Sequence, residues 1–118
     1  MSARYLFFCH YEKKGAYTVQ FPDPDENLML CGEINEMKSF DTTLNRHVEN
    51  GAIWATLKNK ISNKEMEDKI KHVNKLSGGH TLRIYDSTIF EVNLEKPTLP
   101  TGAKDWTNKA YEYIKDKI

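Results

Sequence analysis

Asp23, Asp25 and Glu26 lie within four positions of one another. Carboxylates this close can ligate a divalent cation through oxygen, or hydrogen-bond to their own backbone in a turn. The flanking Pro22 and Pro24 favour the turn, and the glycine and terminal glutamate of a calcium-binding loop are missing at their required spacing. The same cluster opens a longer acidic stretch, in which Asp23, Asp25, Glu26, Glu33, Glu36 and Asp41 face one base, Lys38. Such a run is a solvated face or a surface offered to a basic partner. Further on the sign reverses. Lys58, Lys60, Lys64, Lys69, Lys71 and Lys75 outnumber Glu65, Glu67 and Asp68, and with Trp54 as a stacking group they form the alternative, a nucleic-acid-binding face. Arginine, whose fork matches phosphate best, occurs only at Arg4, Arg46 and Arg83.

Cys9, His10 and Cys31 are soft-metal ligand types. Adjacent strand residues point to opposite faces, however, so Cys9 and His10 would need a bulge to share one ion. No metal or other cofactor is expected, and the cysteines read as free thiols. His47, His72 and His80 have no nucleophile or carboxylate at a fixed local spacing. A Cys-His pair assembled only by the fold is the one catalytic arrangement left open, and the chain is read as non-enzymatic, with no catalytic residue.

The elements that must position these groups begin with three strand-like runs between Arg4 and Cys31, divided by Glu12-Lys13-Lys14-Gly15 and by Pro22-Asp23-Pro24-Asp25. The glycine turn predicts a hairpin, with a second strand running from Gly15 to Phe21. Ile34, Met37, Phe40, Leu44 and Val48 recur at helical spacing, and Glu49-Asn50-Gly51 resembles a helix stop. Ala52–Ile61 is either a short helix or an irregular link. Ser62-Asn63-Lys64-Glu65 has capping-box spacing and opens a helix with the stripe Met66, Ile70, Val73 and Leu76, ended by Gly78-Gly79. Thr81–Tyr85 and Thr88–Leu94 read as a hairpin turning at Asp86-Ser87, and Trp106, Ala110, Tyr113, Ile114 and Ile118 mark a terminal helix. The expected fold is a single α+β domain over 1–118, βββ-α-(α)-α-ββ-α, with helices packed on an antiparallel sheet of about five strands.

A chain of 118 residues can bury one core without disulfide or metal staples, and its charges balance to zero, which gives no global field toward nucleic acid or membrane. No secretory leader and no stretch long enough to span a membrane are visible, so a cytoplasmic protein with reduced thiols is expected.

The run Tyr11-Glu12-Lys13-Lys14-Gly15-Ala16-Tyr17-Thr18-Val19-Gln20-Phe21-Pro22-Asp23, with Gly32-Glu33 ahead of a helix, resembles the N-terminal meander of HicB-type antitoxins. The resemblance covers about a third of the chain. It implies an inactive, partial ribonuclease-H-like fold that neutralises a basic toxin nuclease by covering it. Family members often end in a DNA-binding domain. After Pro100 there is room here for one helix, so the implied role is inhibition: an antitoxin, or a phage-encoded inhibitor of a host nuclease or nucleoprotein defence complex in the manner of anti-CRISPR proteins. Affinity for such a partner requires an apolar anchor, for which Met29, Met37 and Phe40 are candidates. Open sheet edges, together with Trp106, Tyr111 and Tyr113 on the terminal helix, further suggest a homodimer.

Overall fold

The computed structural model describes residues 5–14, 18–22, 25–34, 48–75, 81–92 and 104–117. Among them are four strands, β1 (Tyr5–Lys14), β2 (Leu28–Ile34), β3 (Val48–Leu57) and β4 (Thr81–Glu91), and two helices, α1 (Asn63–Val73) and α2 (Asp105–Ile114). The strands form one sheet in the order β2-β3-β1-β4, every neighbouring pair antiparallel. The fold is therefore α+β, with four described strands where about five were expected. β1 is central and runs opposite to both its neighbours, so β3 and β4 are parallel to each other and α1 carries the chain between them across one face.

Strand alternation divides β1 between two cores. Phe7, Cys9 and Tyr11 join Ile53, Ala55 and Leu57 beneath Met66 and Ile70 of α1. Leu6 and Phe8 join Ala52 and Trp54 beneath Trp106, Ala110 and Ile114 of α2. The sheet is thus covered on both faces, and burying side chains such as Ile70 or Ile114 stabilises the fold by about 2 kcal/mol each.

Both helices lie where their apolar spacing predicts. Ser62 caps α1, its hydroxyl accepting from the Glu65 N–H at 3.0 Å. The helix ends at Val73, before the predicted glycine pair, because Asn74 takes over the C-terminus: its N–H and its side-chain amide both donate to the Ile70 carbonyl.

Four expectations change. First, the described part of the expected second hairpin strand, residues 18–21, is not a strand. Gly15–Tyr17 lie outside the described residues, 18–22 carry no strand, and β1 already has β3 and β4 on its two sides. Val19 is buried as its alternation implies, but the backbone of Gln20 finds a side chain as partner. The Gln20 N–H donates to Asn74 Oδ1 at 2.9 Å, and Asn74 Nδ2 donates to the Gln20 carbonyl at 2.8 Å.

Second, Glu49-Asn50-Gly51 is no helix stop but part of β3. A Cβ on Gly51 would come within 2.5 Å of the Tyr11 hydroxyl and 2.6 Å of the Ile34 carbonyl, so the glycine is required by close packing. Of the helix expected over Ile34–Val48, residues 35–47 lie outside the described residues, while Ile34 and Val48 belong to strands.

Third, Ala52–Leu57 is strand. Buried on both faces, it lacks the polar alternation that announces a strand.

Fourth, Asp86-Ser87 does not reverse the chain. β4 is one strand with a bulge: His10 pairs with Asp86 and Tyr11 with Ile84, leaving Tyr85 as the extra residue.

Candidate functional site

Between the segment preceding β2 and the outer side of α1 lies an open groove of about 810 Å³, lined by Pro22, Asp25, Glu26, Glu65, Asp68, Lys69, His72 and Val73. Asn27 fixes the turn that carries Asp25 and Glu26. Its N–H donates to Asp25 Oδ1 at 2.9 Å, its Nδ2 donates to the Asn59 carbonyl, and its Oδ1 accepts the Asn59 N–H. The Leu28 N–H closes the turn on the Asp25 carbonyl at 2.8 Å. The far wall is helical: Glu65, Lys69 and His72 follow the i, i+4, i+7 rule and share a face, while Met66 and Ile70 turn to the core.

Four carboxylates line the groove with one lysine, Lys69. Lys69 Nζ bonds Asp25 Oδ2 at 2.8 Å. That bond, with the Asn27 N–H, holds the Asp25 carboxyl below its ordinary range, and the same bond raises the Lys69 ammonium. Lys64 pairs with Asp68 along the helix at 3.0 Å. Glu26 and Glu65 are exposed. Beyond the turn, on β2, Met29 and Leu30 are 49% and 45% exposed.

The expected acidic face is thus only partly assembled. Asp25 and Glu26 share the groove, whereas Asp23, Glu36 and Asp41 lie outside the described residues. Glu33 is turned inward at the other end of β2, where it accepts hydrogen bonds from the Tyr11 hydroxyl and from Lys13 Nζ at 3.3 Å. Glu65 and Asp68 complete the groove in their place. In sequence they are offsets within the lysine run; on the helix Glu65 lies one turn before both Asp68 and Lys69, and the three line the groove together. Met37 and Phe40 also fall outside the described residues, leaving Met29 as the described anchor among the three.

The lysine face is divided as well. Lys58, Lys60, Lys64, Lys71 and Lys75 are exposed, but Lys69 belongs to the groove, and Trp54 cannot stack for the lysines because it is 6% exposed beneath α2, across the sheet from α1. On the terminal helix, Trp106 is core. It stacks on His10 with ring centroids 5.4 Å apart and meets Phe8 edge-on. Tyr111 is half-buried against the same core, and Tyr113 is 49% exposed. A dimer contact through α2 would therefore fall largely to Tyr113.

The catalytic and metal readings gain no support from geometry. Cys9 and His10 point into opposite cores, and among the described residues no three His, Cys, Asp or Glu side chains converge as a metal site. Burial drives the Cys9 thiol far above its ordinary range, which removes it as a thiolate nucleophile.

No family model, curated protein or solved structure matches this chain. The groove must be read from its own chemistry, which has carboxylates, a half-buried valine and proline, and no activated nucleophile among the described residues. Such a surface can attract and orient cationic side chains.

Proposed function

We propose that this chain is a non-enzymatic protein-binding inhibitor, used as a HicB-type antitoxin is used, that receives a basic partner such as a nuclease or a nucleoprotein complex. The observation that carries this reading is the groove itself: Asp25, Glu26, Glu65 and Asp68 converge from two segments of the chain, and Met29 and Leu30 lie exposed a few residues on. The charges steer encounter and reject acidic competitors, while the apolar side chains supply the contact that holds. The HicB resemblance of the N-terminal run fits this use, and an anti-CRISPR-like role would draw on the same surface.

The test is affinity capture from a host lysate with the chain and with its Glu26→Lys/Glu65→Lys/Asp68→Lys variant, which leaves the Asp25–Lys69 bond in place. Basic proteins are expected to be recovered by the first and lost by the second. Equal recovery of every protein would overturn the reading. The exposed lysines favour a second function, nucleic-acid binding, which predicts retardation of DNA or RNA that weakens steeply with salt.

A further inference from the structure

The two edges of the sheet are not alike. β4 is bulged at Tyr85, and α1 covers it: Asn63 Nδ2 reaches the Ser87 carbonyl at 3.4 Å, and Glu67 accepts from the Ser87 hydroxyl at 2.5 Å. Arg83 and Glu91 add exposed charge. These are the devices by which an edge is kept from pairing with another chain. β2 lacks them. Among the described residues it pairs only with β3. Met29, Leu30 and Cys31 stand exposed in succession, and the strand's one charge, Glu33, is spent on Lys13 and Tyr11.

We infer that β2 is a strand-addition site for an extended segment of the partner, about seven residues long, with apolar side chains at alternate positions and a Lys or Arg pair at its C-terminal end. The inference rests on the acidic-groove function and specifies how the partner docks. Main-chain bonds along an open edge would give affinity, and alternate side chains would give specificity. Antiparallel addition continues the pairing already present between β2 and β3 and brings the C-terminus of the incoming segment to the start of β2. There the turn carrying Asp25 and Glu26 leads into the groove, so a base at that end meets carboxylate. Charge also argues against a second copy as occupant. Self-pairing of β2 about Cys31 sets the acidic turn of one copy beside Ile34 of the other, not beside a base.

Three ten-residue peptides of alternating valine and threonine, with Lys-Arg at the C-terminus, Lys-Arg at the N-terminus or Glu-Glu at the C-terminus, test this against the isotopically labelled full chain. The first is expected to protect the amides of Met29–Ile34 that point away from β3 from exchange and to bind at least tenfold tighter than either of the others. Leu30→Lys, at an exposed position that leaves the α1 and α2 amide spectra unchanged, is expected to weaken it at least tenfold. Protection confined to Glu65–Val73, with Leu30→Lys binding normally, would overturn strand addition and leave the groove function standing. No binding at millimolar peptide would also overturn strand addition. Equal protection by the Lys-Arg and Glu-Glu peptides would overturn the basic end and, with it, the groove function. A peptide-free chain already protected at β2, with twice the 13.7 kDa chain mass, would make a second copy the occupant and overturn the partner segment.

Discussion

Asp25 and Lys69, forty-four residues apart in sequence, bond at 2.8 Å and tie the turn before β2 to the middle of α1. The bond both shapes the groove and neutralises one of its carboxylates. Lys69→Met should therefore tighten binding of a basic partner while costing little stability, because the pair is partly exposed. Calorimetric titration of any partner recovered by affinity capture checks this. Weaker binding by the variant would mean that Lys69 contributes to recognition.

The same pair sets a pH dependence. The Asp25 carboxyl is depressed in the folded chain, so its contribution is complete above its unfolded pKa of about 4 and is lost as pH falls through the lower folded value. The Lys69 ammonium is raised, so its contribution is complete below about pH 10 and is lost as pH rises through the higher folded value. Asp25→Asn should flatten the acid limb relative to the unaltered chain, measured as denaturant midpoints between about pH 2 and 7. Parallel acid limbs would show that Asp25 does not carry the effect.

Gly51 and Gly32 provide a contrast in packing. At Gly51 an added methyl would meet the Ile34 carbonyl, which belongs to the β2 backbone and can move only with the strand. At Gly32 it would meet the Trp54 indole at 2.7 Å, a side chain with some freedom to give. Gly51→Ala is expected to cost about 1–3 kcal/mol, and Gly32→Ala less. Denaturant unfolding of the two variants checks the order, and adding Tyr11→Phe to Gly51→Ala should recover only part of the loss because the carbonyl remains.

Asp86 shows why the sheet was harder to read than the helices. Asp-Ser between two apolar runs is turn chemistry, and its Oδ1 does accept the Ser87 N–H at 2.9 Å. Its other oxygen, however, accepts from Lys104 and from the Trp106 indole at 3.2 Å, both beyond the strand in sequence. Nothing local encodes that use. Helices α1 and α2 were legible because one face of each is wet, whereas β3 hides its period by burial on both faces, and the Val19–Phe21 alternation is paired to Asn74 far along the chain. The groove was half legible for the same reason: Asp25 and Glu26 are neighbours in sequence, but Glu65 and Asp68 join them only through the fold.

Burial pushes the Asp86 carboxyl up, and the bonds from Lys104 and Trp106 more than offset it, leaving it below its ordinary range. Trp106→Phe keeps the ring against Phe8 but removes the indole donor, and should cost about 1–2 kcal/mol through the lost bond and smaller ring. Trp106→Ala opens the α2 core and should cost about 3–5 kcal/mol. Thermal unfolding that ranks the two variants otherwise would show that α2 is not held through this side chain.

The two thiols should separate cleanly by reactivity. Cys9 is buried in the α1 core, and its thiol is pushed far above the ordinary range by desolvation, then by the charge of Glu67. Cys31 is exposed on β2, its thiol raised by desolvation alone. Attack requires thiolate and access together. Iodoacetamide on the native chain at pH 8 should therefore add one adduct, at Cys31 and more slowly than to a free thiol, with the second appearing only after denaturation. Peptide mass mapping checks the site. If a partner strand adds to β2 as inferred, its presence should slow the Cys31 adduct and leave Cys9 unchanged; prompt native labelling of Cys9 would mean that the central strand is not sealed beneath α1.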